Sequence, residues 1–161
     1  MMIRPTMRFM LSDPAHCIAL GFGTGLAPVA PGTVGTLLAY PLYYVLAKWV
    51  SAYEMFGIIA AFFLLGVWAC ERTGRAMGIA DHSGMVWDEV VAMMLILLVI
   101  PAETGRWVAA FFLFRIFDVL KPPPIRHFDQ TIKGGFGVMF DDLLAAFYTL
   151  LFLAIFKRLF L

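Results

Sequence analysis

Five carboxylates stand at the ends of three apolar stretches of the chain. Asp88 and Glu89 open the first stretch, Asp118 closes the second, and Asp141 and Asp142 open the third. Negative charge beside hydrocarbon is costly, so acids inside a membrane protein are usually paired and functional, and Mg²⁺ prefers oxygen ligands. We predict a Mg²⁺ site next to an anionic phosphate substrate, with all five acids as candidate metal ligands. The predicted catalytic residues are Asp88, Glu89, Asp118 and Asp142.

The elements that must position these acids are predicted to be membrane helices. Of the 161 residues, 62% are hydrophobic and 14% are charged, whereas apolar residues make up roughly 45 to 50% of a soluble domain. The mean hydropathy is +0.88. Neither a polar linker nor an internal repeat divides the sequence. We therefore predict one compact all-α integral membrane domain over residues 1–161.

About five apolar helices are predicted, several of them shorter than the roughly 20 residues that cross a bilayer core. They cover residues 34–50, 55–70, 85–100, 107–120 and 138–156. The Gly- and Pro-rich stretch before them predicts a re-entrant or broken amino-terminal segment.

The positive charges give this bundle an orientation. With a cytoplasmic amino terminus, seven Lys and Arg residues flank the helices on the cytoplasmic side and four on the other side, as the positive-inside rule favours. The seven are Arg4, Arg8, Arg72, Arg75, Lys121, Arg126 and Lys133, and the four are Lys48, Arg106, Lys157 and Arg158. All the polar motifs then face the cytoplasm. The net charge of only +1, on dispersed residues, argues against a nucleic-acid partner, and no obligate protein partner is inferred.

Residues 21–36 form a segment rich in Gly, Pro and Thr that runs into the first long helix. Glycines let backbone amides approach a phosphate, and the amino terminus of a helix favours anions. Thr24 and Thr33 are therefore candidates to bind the substrate phosphate. Close packing of a helix-breaking segment explains the composition equally well, and the segment matches neither the P-loop nor the dinucleotide-binding pattern.

Arg115 and Asp118 share one face of the fourth helix because they are three residues apart. In one interpretation they form an internal ion pair that makes their burial tolerable. In the interpretation that we favour, Asp118 helps to hold the metal and nearby cations bind the phosphate. The candidate phosphate-binding cations are Arg115, Lys121 and Arg126.

Two further patterns bear on the site. Adjacent helix positions are about 100° apart, so Asp141 and Asp142 cannot point the same way, and we expect one to bind metal while the other orients a ligand or caps amides. His82, in the loop before Asp88, is interpreted as a solvated loop histidine.

Together these motifs resemble those of the phosphatidylglycerophosphatase A family of bacterial inner-membrane lipid phosphatases. The resemblance rests on Trp-Asp-Glu at 87–89, Phe-Arg-x-Phe-Asp-x-x-Lys-Pro-x-Pro-Ile at 114–125 and Gly-Gly-x-Gly-x-Met-x-Asp-Asp at 134–142. It implies Mg²⁺-dependent hydrolysis of the terminal phosphomonoester of phosphatidylglycerophosphate, in glycerophospholipid biosynthesis. The substrate is then a phospholipid in the bacterial inner membrane, reached from the cytoplasmic side.

The resemblance does not identify the nucleophile. The chain lacks the sequence signatures of phosphatases that form aspartyl-, histidyl- or cysteinyl-phosphate intermediates. We therefore predict that a water molecule activated by Mg²⁺ attacks the phosphomonoester, and that Arg115 and Lys121 help neutralise the phosphoryl oxygens.

Three other function classes stay open at this point. A small helical transporter would also bury charges, but near the bilayer midplane and accessible from both faces. A scaffold protein would use small residues between helices without paired acids. A CDP-alcohol phosphotransferase would use clustered aspartates and Mg²⁺, but its spaced Asp-Gly-x-x-Ala-Arg signature is missing from the sequence.

Overall fold

The computed structural model describes residues 5–160, which fold into helices joined by short connections. Eight α-helices and one 3₁₀ helix make up this part of the chain. In order they are α1 (Met7–Leu11), α2 (Pro14–Ala19), the 3₁₀ helix (Gly21–Leu26), α3 (Pro31–Leu46), α4 (Ala52–Met77), α5 (Trp87–Val99), α6 (Thr104–Leu120), α7 (Ile125–Thr131) and α8 (Gly134–Phe160). The predicted all-α class is confirmed, and α3, α4, α5, α6 and α8 correspond to the five predicted apolar helices.

Two of these helices are long and apolar enough to cross a membrane. They are Ala52–Met77 and Gly134–Leu159, each of 26 residues, or about 39 Å at 1.5 Å per residue. The predicted carboxyl end of α4, at residue 70, was several residues too early. The helix continues through polar residues to Met77, where Gly78 caps it in a left-handed conformation. At its other end, Ser51 and Glu54 form a capping box.

Helix α5 is the centre of the bundle. It packs against α3, α4 and α8, and nearly all of its side chains from Trp87 to Leu97 are buried. A helix that is apolar all round belongs in an interior, and α5 has only 13 residues. It ends because Ile100 adopts an extended conformation before Pro101, as a residue preceding proline prefers. Its first turn, with Asp88 and Glu89, is thereby fixed inside the bundle.

The segment before α3 is broken, as predicted. Thr6 caps α1 and Asp13 caps α2 with side-chain oxygens, and Phe22 and Gly23 in the 3₁₀ helix have positive φ. Arg72 on α4 bonds Asp13 and holds the pKa of this carboxyl below its usual value. Arg4, which was counted in the charge bias, lies outside the described residues.

The interpretation of His82 as a solvated histidine was wrong. Its side chain is buried, and Nδ1 accepts a hydrogen bond of 2.9 Å from the Gly84 amide. The loop is enclosed because Gly84 and Gly25 bring two backbone segments into direct contact, where neither position has room for a Cβ. His82 therefore shapes the loop that leads into α5.

Candidate active site

A cavity of about 250 Å³ opens where the amino termini of α3 and α5, and a part of α8 about two turns into that helix, meet the carboxyl end of α6. All five predicted metal-binding acids line it, together with Arg115 and Lys121. The remaining lining residues are Ala30, Pro31, Gly32, Asp81, Ser83 and Met85. Residues far apart in sequence thus form one polar site at one end of an apolar bundle.

Three carboxylates form the deepest part of this site. Asp88, Glu89 and Asp142 offer oxygen atoms that all lie within 4.8 Å of one another, and all three residues are buried. Within residues 5–160, Asp88 Oδ1, Glu89 Oε2 and Asp142 Oδ2 have no hydrogen-bond partner. Buried acids with unsatisfied oxygens are costly, so this donor set fits a hard divalent cation such as Mg²⁺.

Arg115 connects this group of acids to α6. Its Nη1 lies 3.3 Å from Glu89 Oε1 and 2.5 Å from Asp118 Oδ2. The internal Arg115–Asp118 ion pair considered from the sequence is therefore present, and it lies in the wall of the cavity. The pair also holds the guanidinium beside the carboxylates, where its remaining N–H groups can donate to an anionic ligand.

Lys121 also lines the cavity. It caps the carboxyl end of α6 in a left-handed conformation, with φ of 43°, and its ammonium contacts Asp141 and lies 3.0 Å from Asp129 Oδ1. Burial lowers the pKa of Lys121, but the two carboxylates outweigh that effect and raise the pKa above its usual value. Lys121 is therefore cationic at neutral pH.

Asp141 and Asp142 point in different directions, as their spacing predicted. Asp141 pairs with Lys121, whereas Asp142 joins Asp88 and Glu89. The beginning of α8 is fixed by Glu71 on α4, whose Oε2 accepts a hydrogen bond of 2.7 Å from the Gly135 amide. Gly135 is required there, since an added Cβ would lie 2.6 Å from the Glu71 nitrogen.

The amino terminus of α3 closes the cavity through its backbone. Ala30 has a left-handed conformation and Pro31 begins the helix. Proline has no N–H, and the Thr33 amide donates to the Ala30 carbonyl. Of the amides of residues 31–33, only that of Gly32 is thus available to donate a hydrogen bond to an anion. It lies at the positive end of the helix dipole.

Three predicted phosphate-binding side chains do not line the cavity. Thr24 donates to the Gly21 carbonyl, Thr33 lies in the first turn of α3 without capping it, and Arg126 is exposed on α7. The Gly-rich segment therefore contributes backbone from residues 30–32 to the cavity wall.

Sequence reasoning missed three polar residues at the site. Asp81 and Ser83 line the cavity from the loop before α5, and Asp129 on α7 pairs with Lys121. Asp81 and Ser83 stand in the same motif as Asp88, which was a usable signal. No sequence signal indicated Asp129, because its contact with Lys121 depends on how the chain folds back after three prolines at 122–124.

The chain is similar to known proteins over most of its length. The family model described as Phosphatidylglycerophosphatase A matches residues 17–157. A phosphatidylglycerophosphatase A of Haemophilus influenzae is 43% identical over 91% of this chain and 91% of its own length, and one of Escherichia coli is 43% identical over 86% of this chain and 80% of its own. A putative phosphatidylinositol-3-phosphatase of Bacteroides thetaiotaomicron is 39% identical over 86% of this chain and 90% of its own length.

No solved structure matches the chain. The family match covers all the cavity residues named above, from Ala30 to Asp142, and both proteins that are 43% identical carry the family's name. The chain therefore belongs to the phosphatidylglycerophosphatase A family of phosphatases.

Proposed function

We propose that this protein hydrolyses the terminal phosphomonoester of phosphatidylglycerophosphate to phosphatidylglycerol and inorganic phosphate, in glycerophospholipid biosynthesis. The observation that carries the proposal is the group of three buried, unsatisfied carboxylates at one end of an apolar bundle, beside two cations and a helix amino terminus. Carboxylates are suited to binding a metal ion, and cations and backbone amides are suited to binding a phosphate beside that ion.

Asp88, Glu89 and Asp142 would hold Mg²⁺. When bound there, Mg²⁺ would neutralise phosphoryl charge and lower the pKa of water. Its presence would also offset the repulsion among three carboxylates whose oxygens lie within 4.8 Å of one another.

The chain's own residues would place the phosphate for in-line displacement. Arg115, held by Asp118, would donate to the phosphoryl oxygens, and the Gly32 amide beside it would donate as well. Lys121 adds positive charge at the cavity wall. The oxygen of a water molecule forms a new bond to phosphorus, the bond from phosphorus to the glycerol oxygen breaks, and that oxygen takes up a proton.

The position of the site also fits a lipid substrate better than a transported solute. The charged residues gather at one end of α3, α5, α6 and α8, whereas a transporter needs its polar site near the midplane. We propose a multi-pass protein of the bacterial inner membrane with this end facing the cytoplasm. There the lipid's terminal phosphate would lie just outside the hydrocarbon boundary, level with the cavity.

Metal-dependent phosphate release from a defined lipid tests the proposal. Purified protein in detergent should release phosphate from phosphatidylglycerophosphate with Mg²⁺, lose that activity with excess chelator, and regain it when Mg²⁺ is restored. Ca²⁺ should substitute poorly, because it prefers longer bonds and more ligands. Full activity in chelator would remove the metal from the proposal.

The same assay separates the competing substrates and reactions. Phosphatidylinositol 3-phosphate is included because one relative is named for it, and we expect kcat/KM at least about tenfold lower than for phosphatidylglycerophosphate, a difference of about 1.4 kcal/mol. A preference for the inositol lipid would reassign the substrate. Turnover of CDP-diacylglycerol with glycerol phosphate, and no phosphate release, would indicate a phosphotransferase instead.

The orientation is tested by labelling single cysteines on the two ends of the bundle. After Cys17→Ala and Cys70→Ala, we introduce Gln130→Cys on α7 or Ala102→Cys between α5 and α6, both at exposed positions. In cells with a permeabilised outer membrane, an impermeant thiol reagent should label position 102 and spare position 130. Inside-out vesicles should show the reverse. Labelling of position 130 from the periplasmic side would invert the topology.

A further inference from the structure

The bundle has a second cavity at the end opposite the acids. It has a volume of about 560 Å³ and is lined mainly by apolar side chains. Its walls come from the carboxyl end of α5, the amino end of α6 and the last turns of α8, including Val99, Leu153 and Ala154. We call it the distal groove.

The distal groove exists because the central helix is short. Pro101 ends α5 after 13 residues, about 20 Å of helix, whereas α8 continues for 27 residues. A bilayer core is about 30 Å thick, so the space beyond α5 lies at the depth of the opposite leaflet's acyl chains. An open apolar groove of this size, at this depth, has the dimensions of a small-molecule site.

The charges at the groove select among possible occupants. Arg106 and Lys157 line it, and so does Glu103, whose Oε2 lies 2.9 Å from Arg106 Nε. Within residues 5–160, Lys157 has no acidic partner, and Arg158 beside it adds a further cation in the last turn of α8. The rim of the groove therefore has an excess of positive charge next to hydrocarbon, which is complementary to a lipid phosphate.

We propose that the distal groove binds one anionic glycerophospholipid of the opposite leaflet, with an acyl chain in the groove and the headgroup phosphate at Arg106 and Lys157. The proposal rests on the membrane placement given above and not on the phosphatase chemistry. Solvation by water alone would account for the charged end of Lys157, but water would not fill the apolar groove beside it.

The test measures lipid retention without any turnover. Full-length protein is purified in detergent, stripped of lipid, and titrated with phosphatidylglycerol or phosphatidylcholine of the same acyl chains, and adducts are counted by native mass spectrometry. We expect one retained phosphatidylglycerol, held at least about tenfold more tightly than phosphatidylcholine.

Two independent changes should remove that adduct. Arg106→Gln with Lys157→Gln removes the headgroup contacts. Gly105→Leu fills the groove, and it should be accepted because an added Cβ at Gly105 meets no atom within 4 Å. Lys48→Gln is the matched control, since Lys48 is an exposed cation that stacks on Tyr44 and does not line the groove.

The outcomes are distinct. Loss of the adduct in both groove variants, and its retention in Lys48→Gln, supports the proposal. An adduct that neither groove variant changes, equal binding of both lipids, or loss in all variants alike overturns it. A dimer that Gly105→Leu abolishes, with no lipid adduct in wild type, would assign the groove to a second copy of the chain instead. Cysteine labelling tests the membrane placement separately.

Discussion

Asp88→Asn and Asp142→Asn should each lower phosphatase turnover by at least about 100-fold, the loss expected when a group that organises transition-state charge is removed. Both carboxylates are buried, face Glu89, and have an oxygen without a hydrogen-bond partner in the described part of the chain. Asparagine keeps the shape of the side chain while removing its charge. The measurement is kcat for phosphate release at saturating Mg²⁺.

A stability measurement separates a metal-binding role from a structural one. If the acids hold Mg²⁺, the ion should stabilise the wild type by about 2.7 kcal/mol at a hundredfold excess over Kd, and neither variant should respond to it as strongly. Without Mg²⁺ each variant should be at least as stable as the wild type, because a buried, mutually repelling charge has been removed. Destabilisation of both variants in the absence of metal would instead assign the acids to the fold.

Glu54→Gln is the matched control for these variants. Glu54 is, like Asp88, an acid in the first turn of a helix, but it is exposed and its carboxylate accepts a hydrogen bond from the Ser51 amide in the capping box of α4. Glutamine can keep the capping hydrogen bond. Turnover should stay within about twofold of wild type, since surface changes usually alter stability by no more than about 0.5 kcal/mol. An equal loss at position 54 would show that charge at any helix start matters.

The sequence predicted the helices and the convergence of the acids because both depend on local patterns. Apolar runs indicate helices in a chain of this composition, and Asp88, Asp118 and Asp142 each lie where an apolar run of the sequence begins or ends. The angular separation of adjacent positions was enough to assign Asp141 and Asp142 to different directions. Their partners were not predictable in this way, because the Lys121–Asp141 contact joins separate helices.

The errors arose where tertiary packing overrides side-chain chemistry. Thr24 and Thr33 were selected because hydroxyl groups can bind phosphate, yet neither lines the cavity, to which this segment contributes residues 30–32 instead. His82 was expected in water but is buried by the contact of Gly25 with Gly84. In both cases the determining feature is a close backbone approach, which a residue's own chemistry does not indicate.

Gly32→Ala should damage the active site severely although it leaves every charged group in place. An added Cβ at Gly32 would overlap Glu89 Oε1 and lie 3.1 and 3.2 Å from the two terminal nitrogens of Arg115. Neither side chain can retreat freely, because Glu89 belongs to the acid group and Arg115 is held by Asp118. A displacement of about 1 Å in a positioned group can cost roughly 100-fold in rate, and we expect a loss of kcat/KM of that order.

Two further variants identify the cause of that loss. Gly57→Ala on α4 is the control, since an added Cβ there meets no atom within 4 Å, and its activity should match wild type. Glu89→Asp alone should also be impaired, but combined with Gly32→Ala it withdraws the carboxylate from the new methyl group. The double variant should therefore lose less than the product of the two single losses, a coupling of about 0.5 to 3 kcal/mol. If the two losses simply multiply, the methyl group at position 32 acts through something other than contact with Glu89. The assignment of the α3 amino terminus to the phosphate site would then lose its geometric basis.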